Sequence, residues 1–125
     1  MQRIRFPKTI AMPPKANKAS VEKLWKHFAC GIGDKAKGLF HKDFVALWPQ
    51  SHTKIENAGD FLKIQRNYIQ TTVLRTLIAG NNVIAEVATV PLNGMPCFIV
   101  GIYEFSGGKI IKAVEYFADI DEPAN

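Results

Sequence analysis

A chain of 125 residues, 47% of them apolar, suits one compact domain with a real hydrophobic core and argues against a second. Its net charge of +5 is lopsided, with ten of the sixteen Lys and Arg before Asp43, but these lysines are not interleaved with stacking aromatics, so a solvated basic surface is expected and nucleic-acid binding is not. No apolar run approaches the roughly 20 residues that span a bilayer, and Cys30 and Cys97 stand apart without metal-ligand spacing, so the expectation is a cytoplasmic protein with reduced thiols, no membrane contact, no metal and no cofactor.

Residues 1–19, MQRIRFPKTIAMPPKANKA, read as an irregular arm, because Pro7, Pro13 and Pro14 oppose a helix. Five basic residues and no acid also leave open a targeting leader. The single domain is placed at 20–125. Ser20 is a plausible N-cap, and Val21, Leu24, Trp25, Phe28 and Ala29 recur at helical spacing until Gly31. GIGDKAKGLF predicts a short helical turn and HKDFVALWPQ a short strand ended by Pro49. Asn57 and Asp60 would cap a further helix over AGDFLKIQRNYIQ, with Phe61, Ile64 and Tyr68 on one side. The period then changes to two. VLRTLIAG, NVIAEVATV, PCFIVGIYEF and KIIKAVEYFAD predict four strands, divided by the turn-formers GNN, PLNGMP and SGG. The fold class is therefore α+β, with helices on one face of a curved antiparallel sheet.

Strand parity sorts the side chains. In the last strand Ile111, Ala113, Glu115, Phe117 and Asp119 share one face, and Ile110, Lys112, Val114 and Tyr116 the other. If Glu86, Glu104 and Lys112 pair across strands on the outer face, Glu115 points inward. The inner face then carries small residues, Ala85, Val87, Gly101 and Ala113, opposite Trp25, Phe28 and Trp48. Such a set either interdigitates as core or leaves an aromatic-lined pocket with Glu115 near its floor.

The order of elements, with LFHKDFVALWP, a capped helix and a meander ending YEFSGGKIIKAVEYFAD, resembles the SnoaL-like branch of the nuclear-transport-factor-2-like (NTF2-like) superfamily over residues 20–121. The resemblance implies a cone-shaped α+β fold, an apolar small-molecule ligand and a homodimer. It does not by itself imply one activity, since that branch includes ketosteroid isomerases, limonene-epoxide hydrolases and polyketide cyclases. The isomerase residues are missing: Trp48 stands where those enzymes place a general-base Asp, Gly101 where they place an oxyanion-stabilising acid, and the first helix contains no Tyr. Of the hydrolase set, the acid before Tyr-Phe is matched by Glu115, but Val87 and Thr89 occupy the positions of its Arg and Asp.

What remains is one inward carboxylate, Glu115, whose desolvation would suit it to general acid/base work in an isomerase, cyclase or dehydratase. Trp25, Phe28, Trp48, Tyr68, Val87, Gly101 and Phe117 are the expected pocket residues, with Thr89, Tyr103 and Asp119 as polar helpers beside His27 or His41. The alternative is a non-catalytic ligand-binding or dimerising module in which Glu115 is structural. The outer face, with Ile84, Val100, Ile102, Val114 and Tyr116, leaves apolar area for a second copy to cover.

Overall fold

The computed structural model describes residues 14–65, 68–91 and 94–120. Helix α1 (Pro14–Ala29) is followed by a 3-10 turn (Gly33–Leu39), strand β1 (Phe40–Trp48), a one-turn 3-10 segment (Pro49–Ser51), strand β2 (Thr53–Ile55), helix α2 (Ala58–Gln65) and strands β3 (Tyr68–Ala79), β4 (Asn82–Pro91), β5 (Cys97–Ser106) and β6 (Lys109–Asp119). The six strands form one open sheet in the order β2-β1-β6-β5-β4-β3. Four of the five strand pairings are antiparallel, and β1 joins β6 in parallel, so the sheet is mixed. No described helix is long and apolar enough to cross a membrane.

Helix α1 starts earlier than the spacing predicts. Residues 14–19, read as part of an irregular arm, are helical, because Pro14 at the first turn has the backbone angle a helix needs and no N–H to lose. Ser20 is thus inside the helix, and its hydroxyl donates to the Ala16 carbonyl (3.1 Å) instead of capping. The rest of the arm, residues 1–13, lies outside the described residues. Asn17, buried, donates to the carbonyl and side-chain oxygens of Asn81 (3.2 and 3.1 Å), which ties α1 to the β3–β4 turn. Of the predicted apolar stripe, Val21, Leu24, Trp25 and Phe28 are buried as the spacing predicts, whereas Ala29, at the helix end, is exposed.

Asn57 caps α2: its side-chain oxygen accepts the Asp60 N–H (2.8 Å) and its amide donates to the Asp60 carboxylate (3.0 Å). The helix ends at Gln65, shorter than predicted, and Tyr68 opens β3. β-Branched and aromatic residues in YIQTTVLRTLIA favour strand there, and cross-strand pairing with β4 overrides the helical spacing of Phe61, Ile64 and Tyr68.

Register places Val83, Ala85 and Val87 of β4 beside Tyr103, Gly101 and Ile99 of β5, and these beside Ala113, Glu115 and Phe117 of β6. On the other face Lys112 pairs with Glu104 (3.7 Å) and Glu86 with Arg75. Parity breaks once. Between Glu104 and Phe105 the register with β6 shifts, so Ile110, predicted outside with Lys112, is buried in the core. Glu115, four residues beyond the extra residue, keeps the inward side.

Candidate functional site

The inner face carries one buried carboxylate. Glu115 is 0% exposed. Its Oε1 accepts the Trp48 indole N–H (3.0 Å) and its Oε2 accepts the Tyr103 hydroxyl (2.9 Å); the Tyr103 oxygen in turn accepts the Trp25 indole N–H (3.1 Å). Four elements, α1, β5, β6 and β1, therefore meet in one hydrogen-bonded line, Trp25–Tyr103–Glu115–Trp48. Two donors aimed at its two oxygens offset the desolvation that a buried carboxylate suffers. Burial first, and then the Glu115 charge and hydrogen bond, hold the Tyr103 hydroxyl well above the ordinary tyrosine range, so it remains a donor.

Gly101 explains how Tyr103 reaches the acid. Glu115 lies opposite Gly101 in the β5–β6 register, and Tyr103 is two residues farther along the same face. The ring folds back over the glycine: a Cβ at position 101 would come within 2.6 Å of the Tyr103 ring and closer still to its oxygen. The space left by this small residue is filled from its own strand.

An open pocket of about 460 Å³ lies beside this line. Trp48, Gln50, Ser51, Ile64, Tyr68, Cys97 and Phe117 line it, with no formal charge among them. Its aromatic wall is rigidly built. Trp48 and Phe117 meet edge to face (centroids 5.4 Å apart, planes at 90°), and the Gln50 amide brackets the Phe117 backbone, donating to its carbonyl (2.8 Å) and accepting its N–H (2.5 Å). Pro49 has no N–H to continue the β1 ladder, so the chain leaves the sheet here and Gln50 takes over the pairing. Tyr68 stacks on Trp25 (6.3 Å, 29°), and burial, followed by the charge of Glu115, raises its hydroxyl well above the ordinary range.

Of the residues expected at a site, the structure places Trp48, Tyr68 and Phe117 on the pocket wall and Glu115 behind it, bonded to Trp48. Trp25, Phe28 and Val87 are core, and Gly101 and Tyr103 belong to the hydrogen-bonded line. Thr89 is buried, donating to the Gln70 carbonyl (2.8 Å) and paired with the Thr71 hydroxyl (2.9 Å). Asp119 is exposed at the end of β6, where it faces Cys97 in the register. His41 accepts the Asp43 backbone N–H (3.0 Å), and His27 lies on the flank of α1 away from the pocket. Sequence reasoning did not single out Gln50, Ser51, Ile64 or Cys97 for the site. For Gln50 the adjacent Pro49 was the available signal, since a proline that stops a strand leaves its neighbour's backbone to be paired by a side chain. Among the described residues no group of His, Cys, Asp and Glu is placed to hold a metal ion.

No family model matches the chain, and no curated protein does. Solved structures do. An NTF-2-like protein of unknown function from Burkholderia xenovorans is 24% identical, with a TM-score of 0.78 and 88% of each chain covered. A steroid delta-isomerase from Pseudomonas aeruginosa is 16% identical, with a TM-score of 0.68, 84% of this chain and 81% of that one covered. An LEH-like epoxide hydrolase from M. tuberculosis is also 16% identical, with a TM-score of 0.67 and coverage of 83% and 84%. At these identities the likeness shows the fold, which is NTF2-like, and the fold hosts more than one activity.

Two expected outcomes follow from the geometry. Gly101→Ala should displace the Tyr103 ring and its bond to Glu115, lowering stability by about 1–3 kcal/mol in urea unfolding, the usual range for overpacking a filled core. An unchanged midpoint would contradict the tight approach of that ring. Cys97, buried at the pocket wall, has its thiol raised by burial and then by Asp119, whereas Cys30 is exposed. Since the thiolate is the reactive form, iodoacetamide should modify Cys30 first at neutral pH, and Cys97 should gain reactivity as the pH is raised. Mass spectrometry of the two peptides reads this directly.

Proposed function

We propose that this NTF2-like domain binds a small apolar molecule in the pocket between Trp48, Tyr68 and Phe117. The supporting observation is the pocket itself: about 460 Å³, open, aromatic-walled and without a formal charge among its lining residues. Pockets of a few hundred Å³ with apolar walls and few polar groups are those that take small molecules. Tyr68, whose hydroxyl stays protonated, offers one donor to an oxygen on the ligand.

A second reading makes the domain a cofactor-independent isomerase, cyclase or dehydratase with Glu115 as general acid/base. In its favour, the Glu115 charge is felt at Tyr68, so acid and pocket wall are in electrostatic contact. Binding is the better supported of the two, because Glu115 is not among the lining residues and both its oxygens already accept hydrogen bonds. A general acid or base must come within hydrogen-bond reach of the proton it moves.

The same proposal includes a homodimer through the outer sheet face. Register aligns Leu77, Ile84, Ile102, Val114 and Leu47 in one apolar row across five strands. The Glu104–Lys112 pair lies on one side of that row and Arg75–Glu86 on the other, so the stripe is flanked by charges that cancel locally. Most of the chain's Lys and Arg precede Asp43, and among the described ones Lys15, Lys18, Lys23, Lys26, Lys35 and Lys37 lie on α1 and the 3-10 turn, so two copies could approach through this stripe without strong repulsion.

For the pocket, titration with the neutral dye Nile red, followed by fluorescence, should give saturable binding that Trp48→Ala and Phe117→Ala each weaken about tenfold or more, equal to about 1.4 kcal/mol. Equal affinity in the variants would overturn the assignment. For the face, light scattering should give twice the monomer mass, and Ile102→Lys with Val114→Lys should give a folded monomer. A monomeric parent protein would overturn it.

A further inference from the structure

We propose that Glu115 acts as a positioning residue for the pocket, holding the Trp48 indole in place by accepting its N–H. The inference rests on the pocket reading for its functional meaning, but its geometry stands apart from it. Trp48 is the last residue of β1, beyond the final described β1–β6 partner pair, Leu47 with Val114, and immediately before Pro49. Pairing with β6 has thus ended at the residue whose ring forms the pocket wall, and Trp48 is held in the sheet only by its pairing with Thr53 of β2. An indole at the end of a strand, half-buried and next to open space, has alternative rotamers unless something fixes it. Here the ring packs against the core and meets Phe117 edge to face, and its N–H makes the 3.0 Å bond to Glu115. Of these only the hydrogen bond fixes where the indole N–H points.

The acid is itself immobile. Its second oxygen accepts the Tyr103 hydroxyl, which the Trp25 indole N–H reaches from α1, and the ring that carries this hydroxyl is seated over Gly101. Trp48 is thus referenced, through three buried side chains, to the main helix of the fold. In such a line a charge-assisted bond is stronger and shorter-ranged in its tolerance than ring packing, so the acid sets the angle of the wall while its own oxygens stay out of the pocket. A carboxylate that positions an aromatic wall and one that transfers protons make opposite demands on a Glu→Gln change. An amide oxygen still accepts the indole N–H, and the amide NH₂ can donate to the Tyr103 oxygen, so the wall survives. Proton transfer does not.

The test compares Glu115→Gln, Glu115→Leu and Trp48→Phe, each checked for folding by thermal unfolding. Near-UV circular dichroism without ligand comes first. The signal lost in Trp48→Phe defines the Trp48 contribution; Glu115→Leu should abolish it and Glu115→Gln should retain it. Nile red affinity comes second. Glu115→Leu and Trp48→Phe should each weaken binding about fivefold or more, the double variant should be no weaker than the worse single one, and Glu115→Gln should stay within about threefold of the parent. A Trp48 signal that persists in Glu115→Leu overturns the proposal, as does additivity of the two losses. If Glu115→Leu does not fold, the inference is read from Glu115→Gln and Trp48→Phe: loss of the Trp48 signal in the glutamine variant, or parent affinity in Trp48→Phe, overturns it. Failure of the parent to bind dye overturns the pocket reading, and the spectroscopic comparison still decides the positioning role.

Discussion

A carboxylate with no exposure to water is the constraint around which this interior is organised. Removing an ionised carboxylate from water costs several kcal/mol even after relaxation, and only well-aimed donors recover that loss. Glu115 receives them from two strands: a tyrosine folded back along β5 and a tryptophan at the end of β1. Each donor has its own requirement. Tyr103 needs a neighbour without a side chain, which is Gly101, and its oxygen takes a further bond from Trp25 on α1. Trp48 needs β1 to lie beside β6 at that level, which the parallel pairing of Ala46 with Ala113 and Leu47 with Val114 provides. The single parallel contact of the sheet is thus linked to the same acid.

The pocket sits where regular structure runs out. Helix α1 covers the β3–β4 side of the inner face, and Val83, Ala85, Val87 and Ile99 are fully buried under it and its neighbours. Toward the end of β6 the ladder with β1 ends, Pro49 turns the chain aside, and the side chains of Trp48, Gln50 and Phe117 supply the surface instead. An opening at this place needs no gap in the core. The space over Gly101 is filled by the Tyr103 ring, and the opening lies beside it, between the strand end, Ile64 of α2 and Tyr68.

The parts of this arrangement legible in the sequence are those set by local periodicity. The α1 stripe from Val21 to Phe28, the four long strands of the second half and the inward direction of Glu115 all come from spacing of 3.6 or 2 residues. The illegible parts come from pairing. Nothing local shows that β1 runs parallel to β6 or that a bulge sends Ile110 inward, and at Tyr68 the local signals conflict, helical spacing against β-branched neighbours, until pairing with β4 decides for the strand. The donors to Glu115 were equally hidden: Trp25, Trp48 and Tyr103 were visible as aromatics, but their N–H and O–H directions depend on rotamers that only packing fixes. Gly101 appeared as missing volume, and the structure shows it as the seat of the Tyr103 ring.

The two faces of the sheet treat charge differently, and this separates the roles they can play. Outside, Glu104, Lys112, Glu86 and Arg75 pair across strands in contact with solvent, where each pair contributes little to stability and serves mainly to keep the flanks of the apolar row neutral. Inside, Glu115 accepts hydrogen bonds from Tyr103 and Trp48, and after burial its charge helps to hold both Tyr68 and Tyr103 protonated. On the proposed pocket reading, an ionised Glu115 behind a wall without formal charge would disfavour anionic ligands and favour neutral molecules or those with electropositive edges turned toward Trp48 and Tyr68. On that reading the carboxylate would act on a ligand without touching it, through the ring it orients and through the field it projects.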